Sequence, residues 1–362
     1  MAQILVFGAT GFTGSQIAQE LDRRGADFVI AGRNQEKLAS LADSLTTKPD
    51  IRLASPADPA SLADAFAGIS VVINTVGPFT DLGEPTVLAA LTAGAHYIDT
   101  TGEQAFIQDM TLKYDELARR KERVLCCALA FEYALGECAA SLACDALGAP
   151  TTLLETFYYT RGGQVSRGTA KSMMRAAASP MLAWFDGRHV VEKMGSTTTE
   201  VTFDGEERYR PALSFGGGMP LHAPRYGDVR EARSFLVMGE DAIRKIRRYR
   251  PLAGLLRWGL AQRLADRVVD WRIPHSGPSG STEVSFRVAA RARGAGLQTQ
   301  VCVSGKDPYG ITAVIATEGA IRLEAGTFKD VGAQSAPLIF DAKDFLDALG
   351  SHGVTWGCQG GK

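Results

Sequence analysis

The sequence predicts an α/β protein, with a doubly wound parallel sheet followed by a second α+β domain built on a largely antiparallel sheet. Two observations lead there. Across the first third, continuous apolar runs at 4–7, 28–31, 71–76, 97–98 and 124–128 alternate with helical patterns at 12–24, 35–45, 84–93 and 104–120. Unbroken apolar strands are buried on both faces, as in a parallel sheet covered by helices on either side. Right-handed crossovers then wind that sheet in both directions. From residue 150 or so the texture changes to alternating or β-rich stretches at 152–160, 196–203, 283–290, 297–303 and 311–317, without regular helical spacers. That pattern suits an antiparallel sheet. The helical exceptions are 169–178 and 240–271, and the stretch 275–281 reads as a Gly/Pro/Ser turn. The expected division is 1–147, 148–330 and a C-terminal segment 331–362 that packs back on the first domain.

Composition narrows the classes. The chain has 362 residues, of which 45% are hydrophobic and 22% charged, which excludes a disordered, collagen-like or disulfide-scaffold chain. A formal net charge of −1 gives no global argument for nucleic acid, which needs a concentrated basic face. The six cysteines (Cys126, Cys127, Cys138, Cys144, Cys302, Cys358) form no CxxC pair and no metal spacing with the histidines, so reduced thiols in the cytoplasm and no metal are expected. The chain opens in a strand without a basic leader, and no apolar run is long enough to span a membrane. Abundant arginine, alanine and glycine hint at a bacterial source.

The strongest signal is Q-I-L-V-F-G-A-T-G-F-T-G, residues 3–14. A buried strand runs into Gly8, Gly11 and Gly14 and then into a helix with apolar Ile17 and Leu21. Gly8 permits a tight turn, Gly11 lets the backbone approach a pyrophosphate, and Gly14 lets the helix pack on its strand. Free N–H groups at the helix start supply the anion site. Thr10 and Thr13 add hydroxyl donors, with Phe12 between them in the same loop. The end of the second strand then selects the dinucleotide. A chain preferring NAD places an acid there for the ribose 2′-OH, whereas this one reads Ala31-Gly32-Arg33-Asn34, with Lys37 one turn on. Arginine can stack on adenine and bind a 2′-phosphate, so NADP (as NADPH) is expected, held by Arg33, Asn34 and Lys37.

Further segments carry a resemblance. Asn74-Thr75-Val76-Gly77-Pro78-Phe79 and His96-Tyr97-Ile98-Asp99-Thr100-Thr101-Gly102-Glu103, with G-A-T-G-F-T-G and A-G-R, resemble the saccharopine dehydrogenase-like reductases, an NADP-binding Rossmann family. The branch most similar is that of the bacterial trans-acting enoyl reductases. The likeness continues in Ser166-Arg167-Gly168-Thr169-Ala170-Lys171-Ser172, in Asp307-Pro308-Tyr309-Gly310-Ile311-Thr312-Ala313 and in Gly332-Ala333-Gln334-Ser335-Ala336-Pro337. It implies that Val76, Gly77, Pro78 and Phe79 lie beside the nicotinamide half of the cofactor, which agrees with ligand binding at the carboxyl ends of such strands. Asp99 and Glu103 read either as site carboxylates or as caps of the following helix, with capping favoured for Glu103. Where relatives carry G-F-D-x-x-P after the sixth strand, this chain has Ala130-Phe131-Glu132-Tyr133-Ala134-Leu135, with Glu132 for the aspartate and no proline. No arginine pair can be tied to an amino-dicarboxylate substrate.

Hydride transfer leaves charge on the substrate that a proton donor or cation must meet. The stretch 158–172 concentrates such groups, and Lys171 and Tyr158 are the expected catalytic residues. Ser166 and Thr169 read either as groups orienting a carbonyl or, with Lys171, as ordinary helix-start residues. His96, His189, His222, His275 and His352 are scattered and read as structural. Residues 243–271 interleave Arg244, Lys245, Arg247, Arg248, Arg250, Arg257, Arg263 and Arg267 with apolar side chains, and Pro251 suggests a break. This is either a helix pair facing the core or a peripheral membrane or lipid contact. The expected activity is NADPH-dependent reduction of a C=C (enoyl) or C=N bond in a small or lipid-like metabolite. The alternative is a non-catalytic NADP-binding sensor or scaffold. The second domain is expected to hold substrate and to pair two copies into a homodimer.

Overall fold

The computed structural model describes residues 3–162, 166–253, 259–272 and 283–360, so the turn expected at 275–281 lies outside the described residues. The chain folds into two compact units. The first comprises Met1–Thr101, Phe106–Phe131 and Tyr309–Phe340; the second comprises Gly102–Ala105, Glu132–Pro308 and Asp341–Lys362.

In the first unit, β1 (Ile4–Phe7), β2 (Phe28–Gly32), β3 (Asp50–Leu53), β4 (Val71–Asn74), β5 (His96–Asp99) and β6 (Val124–Cys126) form a parallel sheet in the order β3-β2-β1-β4-β5-β6. A short strand, Gly332–Ala333, extends it beside β6. The strand order reverses between β1 and β4, which creates the crevice where such sheets bind ligands. Every residue of β1, β2, β4, β5 and β6 is buried, as unbroken apolar runs require. Helices α1 (Phe12–Arg23), α2 (Gln35–Ser44), α3 (Pro59–Phe66), α4 (Phe79–Thr92) and α5 (Gln104–Arg120) alternate with the strands.

The stretch expected as a strand at 311–317 is instead part of the helix Pro308–Glu324. Ile311 to Thr317 are all buried there. A helix apolar on every side has no 3.6-residue stripe to reveal it, and its β-branched residues imitated a strand. This helix belongs with the first unit, tied to α1 by Arg24 bridging Glu20 (2.7 Å) and Glu318 (2.6 Å).

The second unit carries β7 (Thr151–Arg161), β8 (Met181–Phe185), β9 (Arg188–Glu192), β10 (Thr198–Val201), β11 (Arg210–Phe215), β12 (Val229–Val237), β13 (Ser285–Gly294) and β14 (Leu297–Lys306). Its sheet runs β10-β11-β12-β7-β13-β14 and ends on the Thr355–Gly360 strand. All its pairs are antiparallel except β12 with β7. One face receives α6 (Phe131–Leu147): Gly136 brings the helix against the Tyr158 hydroxyl, and Thr299 Oγ1 donates to the Ala143 carbonyl at 2.7 Å. The other face stacks Phe157 on Phe235 at 5.4 Å. There Arg291 lies over the Phe157 ring and pairs with buried Glu155 at 2.7 Å. Helices α7 (Arg167–Ala178), α8 (Met219–His222), α9 (Glu240–Ala253) and α10 (Gly259–Arg272) complete the unit.

These units depart from boundaries at 147/148 and 330/331. Most of α6 lies in the second unit, the helix Pro308–Glu324 in the first, and the C-terminal segment is shared. Gly332–Ala333 joins the parallel sheet, whereas Thr355–Gly360 pairs with β14.

Inside the parallel sheet, His96 Nδ1 accepts the Val124 N–H at 2.9 Å. Burial and, after it, the Arg123 guanidinium hold this imidazole down to about 4. A folded-state value below the unfolded one near 6.5 means that its contribution to stability is complete above about pH 6.5 and lost as pH falls toward 4. His96→Gln keeps an acceptor for Val124 but cannot titrate. Between pH 7 and 4 the wild type should lose up to about 3 kcal/mol more stability than this variant, measured by urea unfolding. Parallel acid limbs would contradict the assignment.

Candidate functional site

The site begins where β1 stops. Gly8 has φ +85°, a region that disfavours side chains, and a Cβ there would meet Thr75 Oγ1 at 2.7 Å and Val76 Cγ2 at 2.8 Å. The turn is fixed by Gly8 and Ala9 N–H donating to the Ala31 carbonyl, and by Gly11 N–H donating to the Gly8 carbonyl at 2.9 Å. Gly11 is the N-cap of α1 and has no side chain to cap it. Thr10 and Gly11 are exposed. The N–H groups of Phe12, Thr13 and Gly14 open the helix without intrahelical acceptors. A Cβ on Gly14 would collide with the Gly8 carbonyl and lie 2.8 Å from Thr75 Oγ1. Each glycine therefore stands where the phosphate-loop reading needs it, and the resulting cradle fits a pyrophosphate.

The end of β2 supplies cations. Arg33 and Lys37 are exposed, and among the described residues neither has an ion-pair partner. Asn34 is engaged elsewhere, because its side chain caps α2 by accepting the Lys37 N–H at 2.9 Å.

The β4 loop is held from within. Thr75 N–H and Oγ1 both bond the Phe7 carbonyl at 2.9 Å, and Asn74 Oδ1 accepts the Val76 N–H at 2.9 Å. The Gly77–Pro78 peptide is cis, and Pro78 N-caps α4. Phe79 is buried against Phe106, with centroids 5.8 Å apart. Its ring serves the core, so of the four residues expected beside the nicotinamide it offers only backbone.

Beneath this loop lies a network that the sequence did not announce. Asn74 Nδ2 donates to Tyr97 Oη (3.0 Å), which donates to Asp99 Oδ2 (2.9 Å). Asp99 Oδ1 accepts the N–H groups of Thr101 (3.0 Å) and Ala128 (2.8 Å). Burial outweighs these bonds and raises Asp99 to about 6. Asp99 thus binds the ends of β4, β5 and β6 together and is not an exposed carboxylate. Tyr309 also emerged only in the structure: its ring meets Phe12 edge to face at 5.2 Å. The D-P-Y-G start signal of its helix was the available clue.

The two expected catalytic side chains have other roles. Tyr158 is buried at 3% exposure against α6, edge-on to Phe215, and among the described residues its hydroxyl has no hydrogen-bond partner. Burial pushes that phenol well above its ordinary range. Lys171 pairs with Asp270 at 2.8 Å, alongside Arg175 with Asp266 at 2.7 Å, which clamps α7 to α10. Ser166 caps α7 by accepting the Thr169 N–H at 3.1 Å, the plain alternative for this stretch. Glu103 accepts the Ser172 hydroxyl at 2.7 Å, a partner other than its own helix. Gln104 commits its whole amide to Leu182 and Gly217. Glu132 is exposed at the first turn of α6. His222 pairs with Glu137 at 3.0 Å in the interior, and His189 lies against Trp184. Among the described residues no group of side chains could hold a metal ion.

Sheet order, glycine cradle and free cations define a dinucleotide-binding domain. Residues 4–126 match the family model described as "Saccharopine dehydrogenase NADP binding domain". Over these residues the chain is similar to the NADP-binding domain of the saccharopine dehydrogenase-like proteins. It is 36% identical over 135 residues to a human saccharopine dehydrogenase-like oxidoreductase, covering 33% of this chain and 32% of that one. It is 34% identical over 129 residues to the "Lipid droplet localized protein" of Caenorhabditis elegans, covering 33% of this chain and 30% of that one. A candidate trans-acting enoyl reductase of Mycobacterium tuberculosis is 37% identical over 121 residues, covering 32% and 29% of the two chains. The matched region thus spans about a third of these curated relatives. Saccharopine dehydrogenase (L-Glu forming) of Saccharomyces cerevisiae has the same fold, with TM-score 0.64 and 10% identity over 99% of this chain and 100% of that one.

The two inner glycines of the loop should separate by experiment. Gly11 is exposed, and a Cβ there meets only the Gly8 carbonyl, at 3.2 Å. Gly11→Ala should melt within a few degrees of wild type yet bind NADPH at least about tenfold more weakly, by loss of close backbone approach. Gly14→Ala should lower stability by about 1–3 kcal/mol, the usual range for overpacking. Unchanged NADPH affinity in Gly11→Ala, read by fluorescence titration, would contradict the cradle.

Proposed function

We propose that this protein is an NADPH-dependent reductase that delivers hydride to a C=C (enoyl) or C=N bond of a small or lipid-like metabolite. The observation that carries the reading is the pairing of a side-chain-free cradle at Gly8, Gly11 and Gly14 with unpaired Arg33 and Lys37 at the end of β2. In that reading the N–H groups at the start of α1 bind the pyrophosphate. Thr10 and Thr13 add hydroxyls, and Phe12, steadied by Tyr309, shapes the lip. Arg33 engages the 2′-phosphate with charge-assisted bonds and Lys37 adds to the local positive potential. Val76, Gly77 and Pro78 face the nicotinamide half, on a loop fixed by Asn74 and Thr75. Bound NADPH supplies the hydride, and the chain positions it.

A second reading, a non-catalytic NADP sensor or scaffold, is favoured by one observation. Tyr158 and Lys171 are both engaged structurally, which leaves the proton donor outside the stretch where the sequence placed it. Oxidation of NADPH by the full chain against a panel of enoyl and imine substrates separates the two readings. Turnover of any of them supports the reductase; tight NADPH binding with none turned over supports the sensor. We further assign the chain to the cytoplasm, a placement in keeping with six unpaired cysteines. We assign it as a homodimer paired through the second unit, whose sheet ends on the exposed Thr355–Gly360 strand, an open edge that a second copy could cover. A monomer by light scattering at micromolar concentration would overturn the pairing.

Cofactor choice gives the sharpest test. Arg33→Asp should weaken NADPH binding about 10- to 100-fold, the worth of one charge-assisted bond, while NADH binding holds or improves. Wild-type protein that binds NADH as tightly as NADPH would refute the role given to Arg33.

A further inference from the structure

Helix α10 divides its faces in an unusual way. Leu264, Val268 and Trp271 are 61%, 52% and 81% exposed. At about 100° per residue they fall within a sector of roughly 60°. Exposed Arg263 and Arg267 flank this stripe on one side and exposed Arg272 on the other. Asp266 lies opposite the stripe and Asp270 on the flank just beyond Arg263, and they are the two acids bound by Arg175 and Lys171 of α7. The ion pairs therefore fix which way the helix faces, and the side turned to solvent is the apolar one. Among the described residues Arg263 and Arg267 have no acidic partner.

A soluble helix ordinarily turns its apolar stripe inward. An apolar stripe with a tryptophan, edged by arginines and presented outward, has the chemistry of a helix lying in a lipid interface. Trp and Arg both suit the headgroup level, where one end of the side chain is apolar and the other wet. The charge selects the surface, since cations without protein acids to pair with are complemented by anionic phospholipid headgroups. No described helix is long and apolar enough to cross a membrane, so the contact is peripheral.

We propose that α10 docks this protein on anionic phospholipid membranes, with Leu264, Val268 and Trp271 entering the interface and Arg263, Arg267 and Arg272 meeting the headgroups. The test is co-sedimentation of the full chain with vesicles of phosphatidylcholine containing about 30 mol% phosphatidylserine, against phosphatidylcholine alone. Wild type should sediment with the anionic vesicles and be released by about 0.5 M salt, where screening is short-ranged. The triple variant Leu264→Ser, Val268→Ser, Trp271→Ser should bind at least about tenfold more weakly. Arg263→Gln with Arg267→Gln should lose about fivefold per charge. All the replaced side chains are exposed, so NADPH affinity should not move and serves as the control for folding. A second readout needs only a conservative change. Brominated phospholipids should quench wild-type tryptophan fluorescence, and Trp271→Phe should abolish most of that quenching. Three results would overturn the proposal: no preference for anionic vesicles, equal sedimentation of the triple variant, or a dimer that the triple variant alone fails to form. The last would assign the stripe to a second copy of the chain.

Discussion

Helix α1 meets the end of β1 with no side-chain atom between them, and the first unit is arranged around that approach. Gly14 lies where a Cβ would strike the Gly8 carbonyl, and Gly8 lies where one would strike Thr75 and Val76. Moving α1 outward by the width of a methyl group would carry its N-terminal N–H groups away from the crevice between β1 and β4. A Cβ on Gly8 or Gly14 would also press on Thr75, whose hydroxyl bonds the Phe7 carbonyl and holds the β4 loop. The anion site and the loop beside it therefore share one steric condition. Packing energy and binding geometry are coupled here because the same missing atoms permit both.

A second condition is electrostatic. The loops that follow β4, β5 and β6 are irregular, and their backbone groups need partners in a place where water is scarce. Asn74, Tyr97 and Asp99 supply them in one chain of bonds, with Asp99 accepting from two loop N–H groups and a phenol. Burial raises the proton affinity of that carboxyl, and its bonds to three partners tie the loops together.

The parallel sheet and the glycine loop were legible because they rest on local signals: unbroken apolar runs and glycine spacing. Legibility failed where the deciding partner is distant in sequence. Lys171 meets Asp270, 99 residues away, and Tyr158 is enclosed by α6 because Gly136 admits it. Neither fact can be read from the stretch 158–172 itself. It failed also where burial erases periodicity. The all-buried helix Pro308–Glu324 reads as a strand, and β12, with Arg230, Glu231 and Arg233 interrupting its apolar residues, hides a central strand.

The central claim is that the carboxyl edge of the parallel sheet, from the Gly8–Gly14 loop to Arg33 and the β4 loop, holds the dinucleotide. Hydrogen–deuterium exchange of the full chain with and without NADPH tests it most directly. Bound cofactor should slow exchange at the amides of residues 9–15, 33–37 and 75–80 together, because its phosphates and rings cover backbone that the free protein leaves open to water. Saturating NADPH that leaves all three segments unprotected, or protects only the sheet of the second unit, would contradict the account.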